Sequence, residues 1–177
     1  MKEENNPHET EPSGSAVKYD TNVINYYFST STLKLSLMSI CTLGLYEYYW
    51  FYKNWSLVKS RTGQKIMPFW RAVFAQFWAY SLFKKIKITA TNNDIKNAPP
   101  IAFLAIAYFI LQVSWKLPDP YWLVSTFSFA LLLPVNSLVF RLNKLLGPNF
   151  NNIDTLSGWN WFVIVVGGLF YLSTVYA

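Results

Sequence analysis

The sequence predicts an all-α, polytopic helical membrane protein, with four transmembrane helices plus one interfacial or re-entrant helix. The alternative is five transmembrane helices. Three observations lead there. Hydrophobic residues make up 53% of the chain and charged residues 14%, against about 25% charged in soluble domains. The chain carries 8 tryptophans and 12 tyrosines, the residues that gather at membrane–water interfaces. The basic residues are also unevenly spread. Residues 53–98 hold nine of them against Asp94, whereas residues 1–31 carry a net charge of −3. Lysine and arginine concentrate on cytoplasmic loops.

Residues 1–25 form a polar tail, with too little apolar surface to offset the entropy of ordering. It reads as disordered and has no apolar core of a secretory signal. A single helical membrane domain follows over residues 26–177, with helices at about 32–60, 68–90, 100–117, 121–145 and 158–176. Tyr26, Tyr27 and Phe28 mark the first interface, and the run Ser29-Thr30-Ser31-Thr32 offers an N-cap. The first span covers residues 32–52 and helicity continues toward Gly63, a plausible terminator. Lys34 sits near one end, where its stem can snorkel. Glu47 lies about two turns from the other, near the expected cytoplasmic interface.

Pro68 suits the first turn of the next helix. Residues 69–83 have basic stretches on both sides. They form either a tilted, re-entrant helix on the first span or a full span that violates the charge bias at one end. Asn92 to Pro100 breaks the chain. Two further spans pair across the short turn Leu117-Pro118-Asp119-Pro120. Pro134 is expected to kink the second of these, with Asn136 satisfying the backbone groups it frees. The last span carries Gly167-Gly168, a point for close helix packing. The acidic 117–120 turn is placed outside and residues 84–98 and 141–158 inside. The tail is outside with four spans and inside with five.

The strings TLGLYEYYWFYKNW (residues 42–55) and RTGQKIMPFWR (residues 61–71) resemble a group of small bacterial inner-membrane proteins that share a domain of unknown function. The resemblance covers roughly residues 27–90. It implies a polytopic protein of the bacterial inner membrane and brings no reaction, ligand or catalytic residue with it.

Among intramembrane polar residues, Lys34, Glu47, Gln112 and Asn136 call for an explanation, because charged or polar groups at membrane depth normally face protein or water. Glu47 has two readings: a structural ion pair, or a proton or cation site. An antiparallel hairpin about Gly63 brings it to residues 80–84, and a shorter first helix brings it to Arg71. Gln112 and Asn136 either line a polar path or make single interhelical hydrogen bonds. Arg71, in the first turn of its helix, is disfavoured by the macrodipole, so an anionic partner is expected: lipid phosphate or a carboxylate. Lys59, Arg61, Lys65, Lys84, Lys85 and Lys87 suit anionic headgroups or set topology alone.

His8 and Cys41 are the only residues of their kinds, so no metal site or cofactor is expected. No catalytic constellation is visible, and the basic block lacks a nucleic-acid-binding motif. The expected protein is a non-enzymatic membrane component with lipid, homo-oligomeric or protein partners. The alternative is a small oligomeric transporter or channel using Glu47.

Overall fold

The computed structural model describes residues 26–118, 121–147 and 158–176. The regular elements among them are all helical: α1 (Thr32–Cys41), α2 (Leu45–Thr62), α3 (Pro68–Val73), α4 (Ala75–Asn92), α5 (Ile101–Val113), α6 (Phe129–Leu146) and α7 (Gly158–Tyr176). A 3₁₀ turn, Ser114–Lys116, extends α5, and another, Tyr121–Ser128, leads into α6. The tail over residues 1–25 lies outside the described residues. Among the described residues one helix, Tyr121–Leu146, is long and apolar enough to cross a membrane by length and composition.

Three expected helices are broken or altered. The helix expected over 32–60 is two. Ser31 caps α1, its side chain accepting from the Lys34 N–H. The chain then turns at residues 42–44, where Leu43 and Gly44 have φ of 51° and 87°. The Gly44 N–H closes back on the Ser39 carbonyl (2.8 Å), and the Thr42 hydroxyl accepts from Tyr46 N–H at the start of α2. The left-handed conformation suits glycine and stops α1. Gly63 ends α2 in the same way (φ 62°). The helix expected over 68–90 divides at Phe74 into α3, which packs on α2, and α4, which pairs with α5. The third, expected over 121–145, opens as a 3₁₀ turn and continues through Pro134 without interruption.

Tyr27 fixes how these elements converge. Its ring lies 4.5 Å from the Arg61 guanidinium at the end of α2. Its hydroxyl is 3.1 Å from Thr89 Oγ1 on α4, and its backbone is held by Asn143 on α6. Nearby, Arg141 donates to the carbonyls of Lys96 and Asn97. The far ends of α2, α4 and α6 therefore meet at one basic end of the molecule. Residues 26–62 leave this end and return to it, and residues 62–92 do the same. From Asn143 back to Ser128 is about 22 Å of helix, and the 42–44 turn sits near that depth, because Glu47 hydrogen-bonds Ser128.

α7 docks on α1 through Gly167. A Cβ there would overlap the Cys41 carbonyl oxygen and lie 2.9 Å from its carbon. We predict that Gly167→Ala lowers stability by about 1–3 kcal/mol, the usual effect of overpacking. Gly168→Ala, whose nearest neighbour is Cys41 Sγ at 4.0 Å, should have little effect. Thermal melts of both variants in detergent test the difference.

Candidate functional site

Two buried polar clusters and one basic surface hold the residues of interest. The first cluster surrounds Glu47, which stands in the first turn of α2 and is fully buried. That position favours a carboxylate, because the helix N-terminus carries partial positive charge. Ser128 Oγ donates to Glu47 Oε1 (2.7 Å) and Gln112 Nε2 donates to Oε2 (3.2 Å). The Tyr108 hydroxyl also lies beside the carboxyl group. The Gln112 amide nitrogen approaches the Tyr108 hydroxyl (3.0 Å) and Ser128 Oγ (3.3 Å), while Tyr48 donates to its oxygen (3.4 Å). Glu47 thus joins α2 to α5 and to the turn before α6, through neutral groups.

This corrects the expected pairing. Neither residues 80–84 nor Arg71 reaches Glu47. Phe51 stacks on Phe83 and Trp55 meets Trp78, so α4 does cross α2. The crossing lies beyond Glu47, which faces Gln112 and Ser128 instead. Nor is Glu47 near the basic end. Its place beside Ser128 is some 21 Å along α2 from Arg61.

The second cluster is a clamp of three asparagines on residues 27–30. Asn143 Oδ1 accepts from Tyr27 N–H (2.9 Å) and its Nδ2 donates to the Tyr27 carbonyl (2.6 Å). Asn54 does the same for Phe28 (3.1 Å each way). Asn136 does the same for Thr30 (3.3 and 2.6 Å). The register follows from geometry. Asn136 and Asn143 are two turns apart on α6, about 10.5 Å, and three extended residues cover about 10 Å. The segment is therefore an extended strap lying along α6, its backbone satisfied by side chains rather than by secondary structure. Trp50 Nε1 also donates to Asn136 Oδ1 (3.1 Å). The sequence leads us to expect Asn136 to serve the backbone groups freed by Pro134, and it does not. Its carboxamide is spent on Thr30 and Trp50.

The basic residues divide by what they touch. Arg61 donates to the Tyr26 carbonyl and lies 3.7 Å from that ring's centroid. Arg71 lies 4.4 Å from the Trp55 ring and 4.3 Å from the Trp78 ring. These are cation–π contacts, and no carboxylate of the described residues pairs with Arg71. Lys59 and Lys65 line one open groove, and Lys84 and Lys87 line a smaller one. Lys85 is half-buried, and its carbonyl accepts from Thr89. Lys34 stands in the first turn of α1, close to the strap.

Sequence reasoning missed Asn54, Asn143, Ser128 and Tyr108. One signal was present: Asn136 and Asn143 share a face of an otherwise apolar α6, and Trp50 and Asn54 are one turn apart. No group of three or more His, Cys, Asp or Glu residues suited to a metal occurs among the described residues.

No family model matches the sequence, and no curated protein or solved structure matches it.

Proposed function

We propose that this chain is a multi-pass protein of the bacterial inner membrane that catalyses no reaction and presents a basic cytoplasmic face to anionic lipid or a protein partner. One observation carries the reading. α5 buries Ile101, Leu104, Ala105 and Tyr108 on one side, and exposes Phe103, Ile106, Phe109, Ile110 and Val113 on the other. A helix apolar all round belongs in a core or a bilayer, and apart from Phe109, which meets Phe77 of α4, these outward side chains of α5 stand more than half or nearly half exposed. Phe69, Trp70, Phe74 and Phe77, and Phe162, Val165 and Leu169, extend that apolar exterior. The resemblance of residues 42–71 to small inner-membrane proteins adds the bacterial setting.

In this reading α5 with its 3₁₀ extension, Tyr121–Leu146 and α7 cross the bilayer. Residues 26–62 and 62–92 enter and leave on the basic side, so the segment over 69–83 is re-entrant and the first helix pair is too, leaving three spans in place of the four or five expected from sequence. The amino-terminal tail is then cytoplasmic. The test is cysteine labelling of intact cells, with Cys41→Ser as background. Asp119→Cys should react with an impermeant maleimide from outside, and Ser13→Cys should react only after permeabilisation. Outside labelling of Ser13→Cys would overturn the arrangement.

A second reading, a small oligomeric transporter or channel, draws on Glu47, a buried carboxyl group whose partners are neutral. Intramembrane acids of this kind mark ion and proton paths. It requires that Glu47→Gln abolish a flux in proteoliposomes while the protein accumulates normally.

A further inference from the structure

Between the end of α2 and the start of α3 lies an open groove of about 870 Å³. Its polar wall carries Lys59, Ser60, Gln64 and Lys65, and its apolar wall Tyr52 and Trp70. Among the described residues the carboxylates are Glu47, sealed in the core, and Asp94, in the loop after α4. Neither lines the groove, so its two ammonium groups face no acid of the described residues there. The nearest guanidiniums are committed elsewhere: Arg61 to the Tyr26 ring and Arg71 to Trp55 and Trp78. The apolar wall does not stop at the groove. Trp70 stacks on Phe74 at 6.1 Å and 17°, and Phe77 stands exposed one turn further, against Phe109. A charged pocket thus opens onto a preformed aromatic track running down α3 and α4.

We propose that this groove binds one anionic phospholipid, its phosphate on Lys59 and Lys65 and an acyl chain along Trp70, Phe74 and Phe77. The proposal rests on the membrane reading above. Two parts of one ligand are specified by two parts of one surface: a double positive charge beside the Gln64 amide, then an apolar row. The chemistry also sets the selectivity. Lysines act as point charges and lack the planar fork with which arginine reads a phosphate group. The site therefore selects charge over headgroup shape, taking phosphatidylglycerol and phosphatidic acid alike and rejecting phosphatidylcholine.

The test is native mass spectrometry of the purified full-length chain with each lipid. One phosphatidylglycerol should be retained under conditions that strip phosphatidylcholine. The pair Lys59→Gln and Lys65→Gln should weaken phosphatidylglycerol binding roughly 30-fold, from the usual contribution of two lysines near an anionic surface. The pair Lys84→Gln and Lys87→Gln should leave it unchanged. All four positions are at least partly exposed, and unchanged near-ultraviolet circular dichroism would verify folding. Equal losses in both pairs would overturn the site while leaving the basic-face reading intact. Equal retention of phosphatidylglycerol and phosphatidylcholine by the wild type would overturn the site and the anionic-lipid reading together. Displacement of the lipid by excess inorganic phosphate would reduce the site to a headgroup pocket and overturn the role of the track.

Discussion

Asn143→Ala is expected to lower the unfolding free energy by about 3 kcal/mol, measured by denaturant titration in detergent. The substitution strands the Tyr27 N–H and carbonyl and removes a partner of Ser29 Oγ, at a position with no solvent exposure. Each buried polar group left unpaired costs about 1–3 kcal/mol. Side-chain bonds between membrane helices average only about 0.6 kcal/mol, because unfolded chains also find partners. The strap differs in that its N–H and carbonyl groups are fixed in an extended conformation and have no helix to fall back on. Asn143→Asp separates the two causes. It keeps the shape and the acceptor for Tyr27 N–H, but sets an oxygen against the Tyr27 carbonyl. It should therefore be at least as damaging as alanine. Hydrogen exchange should report the same event locally, with the Tyr27 amide losing protection before Phe28, which Asn54 holds. If both variants match the wild type, the clamp does not hold the strap in solution.

Glu47→Ala is expected to cost about 3–5 kcal/mol, and Glu47→Gln only about 1 kcal/mol. Alanine removes the acceptor used by Ser128 and Gln112 and leaves a cavity where three elements meet. Glutamine fills the same volume, and its oxygen still receives the Ser128 hydroxyl. Its nitrogen then faces the Gln112 amide, which has to turn over and give up its contacts with Tyr108 and Ser128. Parallel thermal melts of the two variants give the comparison. Equal losses would mean that the volume of residue 47, and not its hydrogen bonding, is what the fold requires. A melt of Glu47→Gln well below that of Glu47→Ala would contradict the assignment altogether.

Local signals in the chain were legible. An N-cap within Ser29–Thr32, Gly63 as terminator, Pro68 in a first turn and a close contact at Gly167-Gly168 all follow from properties of single residues, and the structure uses Ser31, Gly63, Pro68 and Gly167 that way. What escaped was set by partners distant in sequence. The break at Phe74 has no proline or glycine to announce it. It occurs because α3 packs on α2 and α4 on α5, so packing overrides a continuous helical pattern. The break at 42–44 had a visible glycine. The run of apolar residues through it reads equally well as one long helix, and the choice depends on Thr42 serving both flanking helices. The glutamate was visible as a problem, but its answer lay in Gln112 and Ser128, 65 and 81 residues away. Nothing local singles out Asn54, and Asn143 shows only the face it shares with Asn136. Their role appears only when the extended strap lies between them.

The strap also imposes an order on the assembly of the protein. Asn54 is 26 residues from Phe28, whereas Asn136 and Asn143 lie 106 and 116 residues beyond the groups they hold. At ribosomal rates of about 5–20 residues per second, the last partner emerges roughly 6–23 s after Tyr27. During that interval the amino-terminal hairpin has one clasp closed and two open. Its backbone at Tyr27 and Thr30 lacks its native side-chain partners until α6 arrives. The strap is thus fastened by a helix made more than 100 residues after it, and α7, made later still, closes on α1.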